Sequence, residues 1–169
     1  MEQFTLLSAA DKHALEKAVG QKVRHVAPRE DIIREGDRPD RVNILLEGFA
    51  CRYKTLKDGR RQIVSFFIPG DICDVRLFLL KQMDHSISTL APAKIAEIAA
   101  EAFIALTDAS PRLTRAMWWN SLVEEAIARE WVRNIGQRTA YERLAHLFCE
   151  FFLRMRAIGP PTITLARCR

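Results

Sequence analysis

The fold of this chain is decided by the stretch from Ile63 to Ala91, IVSFFIPGDICDVRLFLLKQMDHSISTLA, in which an apolar strand breaks at Pro69-Gly70-Asp71. Gly70 adopts backbone conformations that are costly for residues with a Cβ, and a proline restricts the entry to the turn. Two interpretations of the break stay open on this local evidence. The backbone folds tightly over a small ligand, or the stretch is a plain strand-turn-helix connection in an all-β core.

Short runs rich in Val, Ile and Phe, bounded by Gly, Asp and Pro, extend on both sides of this stretch. Asp58-Gly59 lies between two of these runs and is a strong hairpin signal. Because no helices alternate with the runs, they indicate a closed roll or sandwich and not a parallel sheet. Seven strands are predicted: KVRHVA (22–27), DIIREG (31–36), VNILLEG (42–48), FACRYKTL (49–56), RQIVSFFI (61–68), SISTLA (86–91) and AKIAEI (93–98).

Helical patterns lie on both sides of the predicted strands. Ser8 and Asp11 form a capping pair before a short amphipathic helix that is expected to close at Gly20. A second short helix is predicted from Ala100 to Thr107. After the long helix described next, the capping-box sequence TAYE (139–142) announces a further helix.

The longest helical pattern starts at Ser110-Pro111 and runs to about Gln137. Its apolar residues are spread over more than one side, and a helix of about 26 residues is about 39 Å long, further than one small roll covers. A second partner surface is therefore expected. Dimerisation is favoured over a core helix in a larger monomer, with an interface formed by Trp119, Val123 and Ile127.

Composition limits the class of protein. The chain has 169 residues, 49% of them hydrophobic and 28% charged, which suits one sizeable core with an appended element. No apolar run reaches the ~20 residues of a membrane span and the start lacks a signal-peptide pattern, so a cytoplasmic location without membrane contact is expected. The four cysteines are scattered, which predicts reduced thiols and no iron-sulfur cluster. The net charge of +5 permits nucleic-acid contact, but the arginines are dispersed.

An enzyme of the metal-binding cupin type shares the jelly-roll core but needs two His and a carboxylate on adjacent strands. The four histidines stand singly, so no catalytic residues, no metal site and no enzymatic activity are expected. They are His13, His25, His85 and His146.

Three segments in order, EGDRPDRVNILLEG (35–48), DGRRQIVSFFIPGD (58–71) and TAYERLAHLFCEF (139–151), resemble the Crp/Fnr family of bacterial transcription regulators. The resemblance covers nearly the whole chain. It implies a mainly β fold with α: a double-stranded β-helix (jelly roll) sensor domain of the cyclic-nucleotide-binding type, a long dimerisation helix and a further helix. The implied domains are a sensor with flanking helices at 1–109, the dimerisation helix at 110–138 and the truncated start of a C-terminal DNA-binding region at 139–169.

Cyclic-nucleotide-binding members of that family hold the ribose with a Gly-Glu pair and neutralise the phosphate with an Arg-Ser or Arg-Thr pair. The corresponding positions here are Cys73-Asp74 and His85-Ser86. Asp is one methylene shorter than Glu, and His lacks the guanidinium fork that suits phosphate. Where the family reads adenine on the dimerisation helix, this chain has Ala128-Arg129 and no hydroxyl pair. The expected effector is therefore a small molecule other than cyclic AMP, of undetermined identity.

The predicted effector site lies between Gly70 and Thr89. Arg76 is expected to pair with Asp74, or else to meet an anionic ligand. Ligation of haem by His85 or Cys73 is a further alternative, although a lone His in a pocket is more often a hydrogen-bonded structural residue. The effector-binding residues are predicted as Gly70, Asp71, Cys73, Asp74, Val75, Arg76, Leu77, His85, Ser86, Ser88 and Thr89.

The resemblance implies three partners: a second copy of the chain, a small-molecule effector, and DNA. DNA contact is expected only through a winged helix-turn-helix domain, which is expected to be absent from this chain. The alternative function is a stand-alone interaction module of the cyclic-nucleotide-binding type without DNA binding.

Overall fold

The structure, a computed structural model, describes residues 7–74 and 81–158. All seven predicted strands are confirmed in the predicted order, and so are the helices before and after them. The elements are α1 (Ala9–Gln21), β1 (Val23–Val26), β2 (Asp31–Ile33), β3 (Arg41–Glu47), β4 (Ala50–Thr55), β5 (Arg61–Phe67), β6 (Ser86–Thr89), β7 (Ala93–Ala99), α2 (Ala100–Ala109), α3 (Pro111–Gln137) and α4 (Ala140–Ile158).

The strands form two antiparallel sheets, in the orders β1-β7-β3 and β2-β6-β4-β5. Side chains from both sheets meet in one buried cluster, which includes Leu45 and Ile95 from the first sheet and Phe67 and Ile87 from the second. The expected jelly roll is therefore confirmed, with its core between the two sheets.

The outer face of the first sheet is covered by helices. Val42 and Ile98 point to this side and pack with Ala18 of α1 and Phe103 of α2 in a second buried cluster. Because strand residues alternate between faces, their neighbours on β3 and β7 point into the space between the sheets. This alternation places Asn43 and Glu97 on the inner face, where they are opposite each other in the β3–β7 ladder.

The helix starts follow the predicted capping chemistry. Ser8 Oγ accepts a hydrogen bond from Asp11 N at 3.1 Å, and Asp11 Oδ2 accepts one from Ser8 N at 2.8 Å. Ser110 caps α3 by accepting from Leu113 N at 3.2 Å. The end of α1 differs from the expectation, because Gly20 is helical and the extended residue that follows the helix is Lys22. In the described part of the chain, no helix has the length and apolar character needed to cross a bilayer.

The described chain divides into two compact units, one up to Glu124 and one from Glu125 onward. The predicted boundaries at 109 and 138 remain predictions. In the second unit, Trp131 Nε1 donates to Glu150 Oε2 at 2.7 Å, and the Trp131 ring meets His146 edge-on at 5.3 Å between centroids. These contacts hold the end of α3 to α4.

Candidate functional site

The predicted turn at Gly70 is present and runs alongside β3. Gly70 has a φ of +93°, a left-handed conformation that favours glycine, and its N–H donates to Leu45 O at 2.7 Å. Asp71 Oδ2 accepts from Ile68 N at 2.7 Å, which closes the turn. Cys73 N then donates to the backbone oxygen of Asn43 at 2.8 Å. The turn therefore leads the chain back along β3 and brings residues 73 and 74 to the interior.

Arg52 of β4 reaches these residues from the opposite sheet. It shares the inward face of its strand with Ala50, and its side chain is 19% exposed. Its Nε donates to His85 Nε2 at 3.1 Å, and its Nη2 donates to the backbone oxygen of Cys73, also at 3.1 Å. The guanidinium carbon lies 5.0 Å from the centre of the Phe67 ring, a cation–π distance. Arg52 thus joins the two halves of the predicted site.

His85 lies between three polar groups. Its Nδ1 is 2.7 Å from Asp84 Oδ1, and its Nε2 is 3.4 Å from Asp74 Oδ2 as well as in contact with Arg52. Since an Arg N–H can only donate, Nε2 accepts in this arrangement, and the ring proton is on Nδ1 and is donated to Asp84. A doubly protonated ring would instead donate from Nε2 towards Asp74 and lose the bond from Arg52.

Asp84 and Cys73 are held in opposite protonation states. Partial burial raises the pKa of Asp84, but the hydrogen bond from His85 and the nearby charge of Lys54 outweigh this effect, so the pKa lies below its ordinary value and the carboxylate is ionised. Burial raises the pKa of the Cys73 thiol to about 12, so it is a neutral thiol near pH 7. Metal ligation needs a thiolate, and both ring nitrogens of His85 are engaged. These residues do not fit a haem iron, and among the described residues no three potential ligands converge on a metal site.

The hydroxyl groups predicted for the site hold the chain segment around β2. Ser86 Oγ accepts from Glu35 N at 2.9 Å, while Ser88 Oγ and Thr89 Oγ1 lie 3.2 and 3.3 Å from the backbone oxygen of Glu30. The three side chains are buried. The structure therefore brings together His85, Asp74 and the backbone of Cys73, and it directs the β6 hydroxyls to another segment. Val75, Arg76 and Leu77, and with them the predicted Arg76–Asp74 pair, lie outside the described residues.

Sequence reasoning missed three charged residues of the site, Arg52, Asp84 and Glu124. Glu124 Oε2 of α3 lies 3.8 Å from Arg52 Nη2, and its Oε1 is 3.4 Å from Asn120 Nδ2. A signal for Arg52 is present in the sequence, because it stands two residues after Ala50 and therefore on the same face of the strand. No comparable signal marks Glu124 on an amphipathic helix with charges on several sides.

The proposed dimerisation helix exposes apolar side chains. In its first half, Trp119 and Val123 are half-buried, whereas Trp118 is 69% and Leu122 is 50% exposed. In its second half, Ile127 is half-buried. Ala128 and Arg129, which were predicted to lack the hydroxyl pair that reads adenine in the family, are exposed. Arg129 pairs with Glu125 one turn earlier at 3.0 Å.

Residues 23–110, just over half of the chain, match the family described as "Cyclic nucleotide-binding domain". The transcriptional activatory protein AadR of Rhodopseudomonas palustris is 29% identical over 139 residues, which are 82% of this chain and 56% of AadR. The nitrogen fixation regulation protein FixK of Bradyrhizobium diazoefficiens is 29% identical over 152 residues, which are 90% of this chain and 62% of FixK. The chain thus spans less than two thirds of the length of either relative.

Two solved structures share the fold. FixK2 from Bradyrhizobium japonicum superposes with a TM-score of 0.71 at 22% identity, over 79% of this chain and 66% of FixK2. The c-di-GMP responsive global regulator CLP of Xanthomonas campestris superposes with a TM-score of 0.68 at 17% identity, over 85% of this chain and 72% of CLP. At these identities the likeness is one of fold.

Proposed function

The chain belongs to the cyclic nucleotide-binding domain family and to the Crp/Fnr regulators of transcription, and from this we propose that it senses a small effector other than cyclic AMP and dimerises. Its curated relatives are named as regulators and not as enzymes. The observation that carries the proposal is the buried cluster of Arg52, Asp74 and His85 at the predicted effector site.

The cluster is poorly suited to a cyclic phosphate. The residue that corresponds to the phosphate-binding Arg is His85, and its Nε2 already accepts from Arg52. Two acidic groups, on Asp74 and Asp84, lie within 3.4 Å of the ring and would repel the phosphate. A ligand that donates hydrogen bonds to these carboxylates, or that replaces the bond from Arg52, suits the cluster better than an anion that needs an Arg at position 85.

Arg52 offers a route from the pocket to α3. The same guanidinium contacts His85, the backbone of Cys73 and, at 3.8 Å, the carboxylate of Glu124. An effector that draws Arg52 towards the pocket weakens its attraction to Glu124, and one that displaces it from His85 strengthens that attraction. This shared side chain supports a sensor whose occupancy changes the position of α3.

We propose α3 as the dimer helix. The exposed apolar pair Trp118 and Leu122 supports this, because a partner helix would cover side chains that the same chain leaves in solvent. Trp119, Val123 and Ile127, which are half-buried, remain the predicted centre of the interface.

DNA recognition belongs, in this proposal, to the part of the longer relatives that lies outside the match. Helix α4 supports the assignment of residues from 139 onward to a further folded region. One of its faces exposes a row of large apolar side chains that needs a partner surface. The row comprises Tyr141, Leu144, Phe148 and Phe152, with exposures of 83, 51, 64 and 64%.

The experiment is calorimetric titration of the purified chain with cyclic AMP, with cyclic GMP and adenosine in parallel. We expect no saturable binding of cyclic AMP below about 1 mM, because each charge-assisted hydrogen bond missing from the phosphate costs ~1.5–3 kcal/mol. Micromolar binding of cyclic AMP that is lost in His85→Ala would show that the site is a nucleotide pocket and that the proposal is wrong.

A further inference from the structure

A second cluster of charges lies at one end of the roll, at Glu97 on the inner face of β7. Its side chain is 5% exposed and is surrounded by three cations. Lys22 Nζ lies 2.6 Å, Arg24 Nε 2.6 Å and Arg41 Nη1 2.9 Å from its two oxygens. One carboxylate cannot satisfy the donors of three cationic side chains, so this cluster has donors to spare.

These residues line a cavity of about 570 Å³ between the two sheets. That volume lies within the ~300–1,000 Å³ of small-molecule pockets. Four cationic residues, Lys22, Arg24, Arg38 and Arg41, line it against three acidic ones, so its wall carries an excess of positive charge. Ile32 and Ile33 of β2 provide an apolar side. The cavity is distinct from the Arg52 cluster, with which it shares no side chain.

The arginines of the cavity differ in how far they are engaged. Arg41 is engaged by two carboxylates. Its Nε and Nη2 donate to Asp40 at 2.7 and 2.6 Å, and its Nη1 donates to Glu97. Arg24 donates a hydrogen bond from Nε to Glu97, whereas its Nη1 is 3.7 Å from Glu30, beyond hydrogen-bond distance. Arg38 is exposed and forms no ion pair with the described residues. Arg24 and Arg38 therefore have the donors that an incoming anion needs.

Asn43 adds a buried hydrogen-bonding group to the wall of the cavity. It is 3% exposed, lines the cavity, and its amide oxygen has no hydrogen-bond partner within the described chain. A buried amide oxygen without a partner is unfavourable, so a hydrogen bond from a ligand or an ordered water would stabilise it. A ligand amine would suit the oxygen but would be repelled by the surrounding cations. A hydroxyl is neutral and can both donate and accept, so it suits either orientation of the amide.

We propose that this cavity is a binding site for a small hydroxylated polyanion, in which Arg24 and Arg38 hold the anionic oxygens and Asn43 bonds a ligand hydroxyl. Hydroxy-dicarboxylates and phosphate esters of polyols share this chemistry. Glu97 is a buried anion that holds Lys22 and Arg41 at the wall through ion pairs. The ligand supplies the negative charge that offsets the remaining positive charge of the wall.

The test is calorimetric titration of the whole chain at constant ionic strength with L-malate, succinate, glycerol 3-phosphate and glycerol. Malate and succinate differ by one hydroxyl, so malate should bind about tenfold more tightly if that hydroxyl bonds Asn43. Tighter binding of glycerol 3-phosphate than of malate would identify a phosphate ester as the source, and the reverse a hydroxy acid. Glycerol should not bind.

Two variants link binding to this cavity. Arg38→Ala should weaken binding of the tighter-binding anion about tenfold, because one charge-assisted contact is lost. The midpoint of thermal unfolding should not change, because the Arg38 side chain is exposed and forms no ion pair within the described chain. Arg60→Ala, an exposed arginine of the β4–β5 hairpin, is the matched control and should bind as the wild type does. The proposal would be overturned if neither malate nor glycerol 3-phosphate bound saturably up to about 10 mM, or if the Arg38→Ala variant bound them as tightly as the wild type. Equal affinity for malate and succinate would refute the role of Asn43.

Discussion

Arg52 Nε lies 3.1 Å from His85 Nε2, so an arginine on the inward face of β4 determines which ring nitrogen of the pocket histidine carries the proton. The histidine then donates from Nδ1 to Asp84. The site predicted to correspond to the phosphate contact of cyclic-nucleotide sensors thus contains a hydrogen-bond chain within the protein itself, from Arg52 through His85 to Asp84.

Restoring the nucleotide-binding pair should create affinity for cyclic AMP. We expect Asp74→Glu combined with His85→Arg to improve the dissociation constant at least about tenfold over the wild type, since one charge-assisted hydrogen bond is worth ~1.5–3 kcal/mol. Calorimetry measures the change. Asp74→Glu with His85→Lys is the control, because a lysine adds the charge without the bidentate fork and should gain less. Equal gains in affinity for cyclic AMP would show that the site lacks only a positive charge and not the bidentate geometry of a guanidinium group.

Removing the guanidinium of Arg52 should destabilise the first unit. Arg52→Ala leaves His85 Nε2 and the backbone oxygen of Cys73 without their donor, and a buried polar group without a partner costs ~1–3 kcal/mol. We expect the free energy of unfolding in urea to fall by about 2–3 kcal/mol. Arg60→Ala is the control: this residue is 78% exposed and its partner, Asp58, is two residues away, so the free energy should be unchanged within about 0.5 kcal/mol. Similar losses in both variants would contradict the role given to Arg52.

The ion pairs of Glu97 should make the free energy of unfolding fall at acid pH. Burial raises its pKa, but the hydrogen bonds from Lys22 and Arg41 and the charges of Arg41 and Arg24 outweigh burial, and the pKa in the folded chain lies below its ordinary value of 4.5. A lowered pKa means that this stabilisation is complete above pH 4.5 and is lost as the pH falls through the folded value. The difference in urea midpoint between wild type and Glu97→Gln should therefore be constant from pH 7 to pH 5 and shrink below about 4.5. A difference independent of pH down to pH 3 would contradict this linkage.

The dimer should depend on α3. We expect Trp118→Glu with Leu122→Glu to give monomers in sedimentation velocity with little change in unfolding, since both side chains are at least half exposed. Val123→Glu with Ile127→Glu should also give monomers but with lower stability, because these side chains are half-buried.

Lys12→Glu in α1 makes the same change in net charge as either pair and lies at an exposed position outside α3, so it should remain dimeric. If only the Trp118 and Leu122 pair dissociates the dimer, the predicted centre at Trp119, Val123 and Ile127 is wrong. If neither pair does, the interface is not on this helix.

The fold could be predicted from the sequence because its signals are local. Each strand is a short apolar run that ends at a turn residue, and Asp58-Gly59 joins β4 and β5 with Gly59 at a φ of +82°. The capping boxes at Ser8 and Thr139 are formed as the sequence indicated. Gly20 misled the prediction of the end of α1, because a glycine is tolerated inside a helix when the next residue continues it.

The site could be predicted only in part because its contacts are not local. The positions of Cys73, Asp74 and His85 followed from a resemblance. Their partner Arg52 lies on another strand, and alternation with Ala50 indicates only its inward direction, not the residues that it contacts there. A register shift between Arg52 and Tyr53 interrupts simple alternation there. Ser86 and Thr89 remain predicted effector-binding residues, but the sequence did not reveal that their hydroxyls bond the backbone of the segment around β2, because that segment is distant in the chain.

The contact between Arg52 and Glu124, 3.8 Å apart, has a thermodynamic consequence if α3 mediates self-association. Free energies of binding are reciprocal: a factor by which an occupied pocket changes the association constant of two chains is also the factor by which association changes the affinity of the pocket. Dilution of the protein dissociates the chains and thereby changes the affinity of the pocket for its ligand. A sensor built around this side chain responds to the abundance of its own polypeptide as well as to its effector.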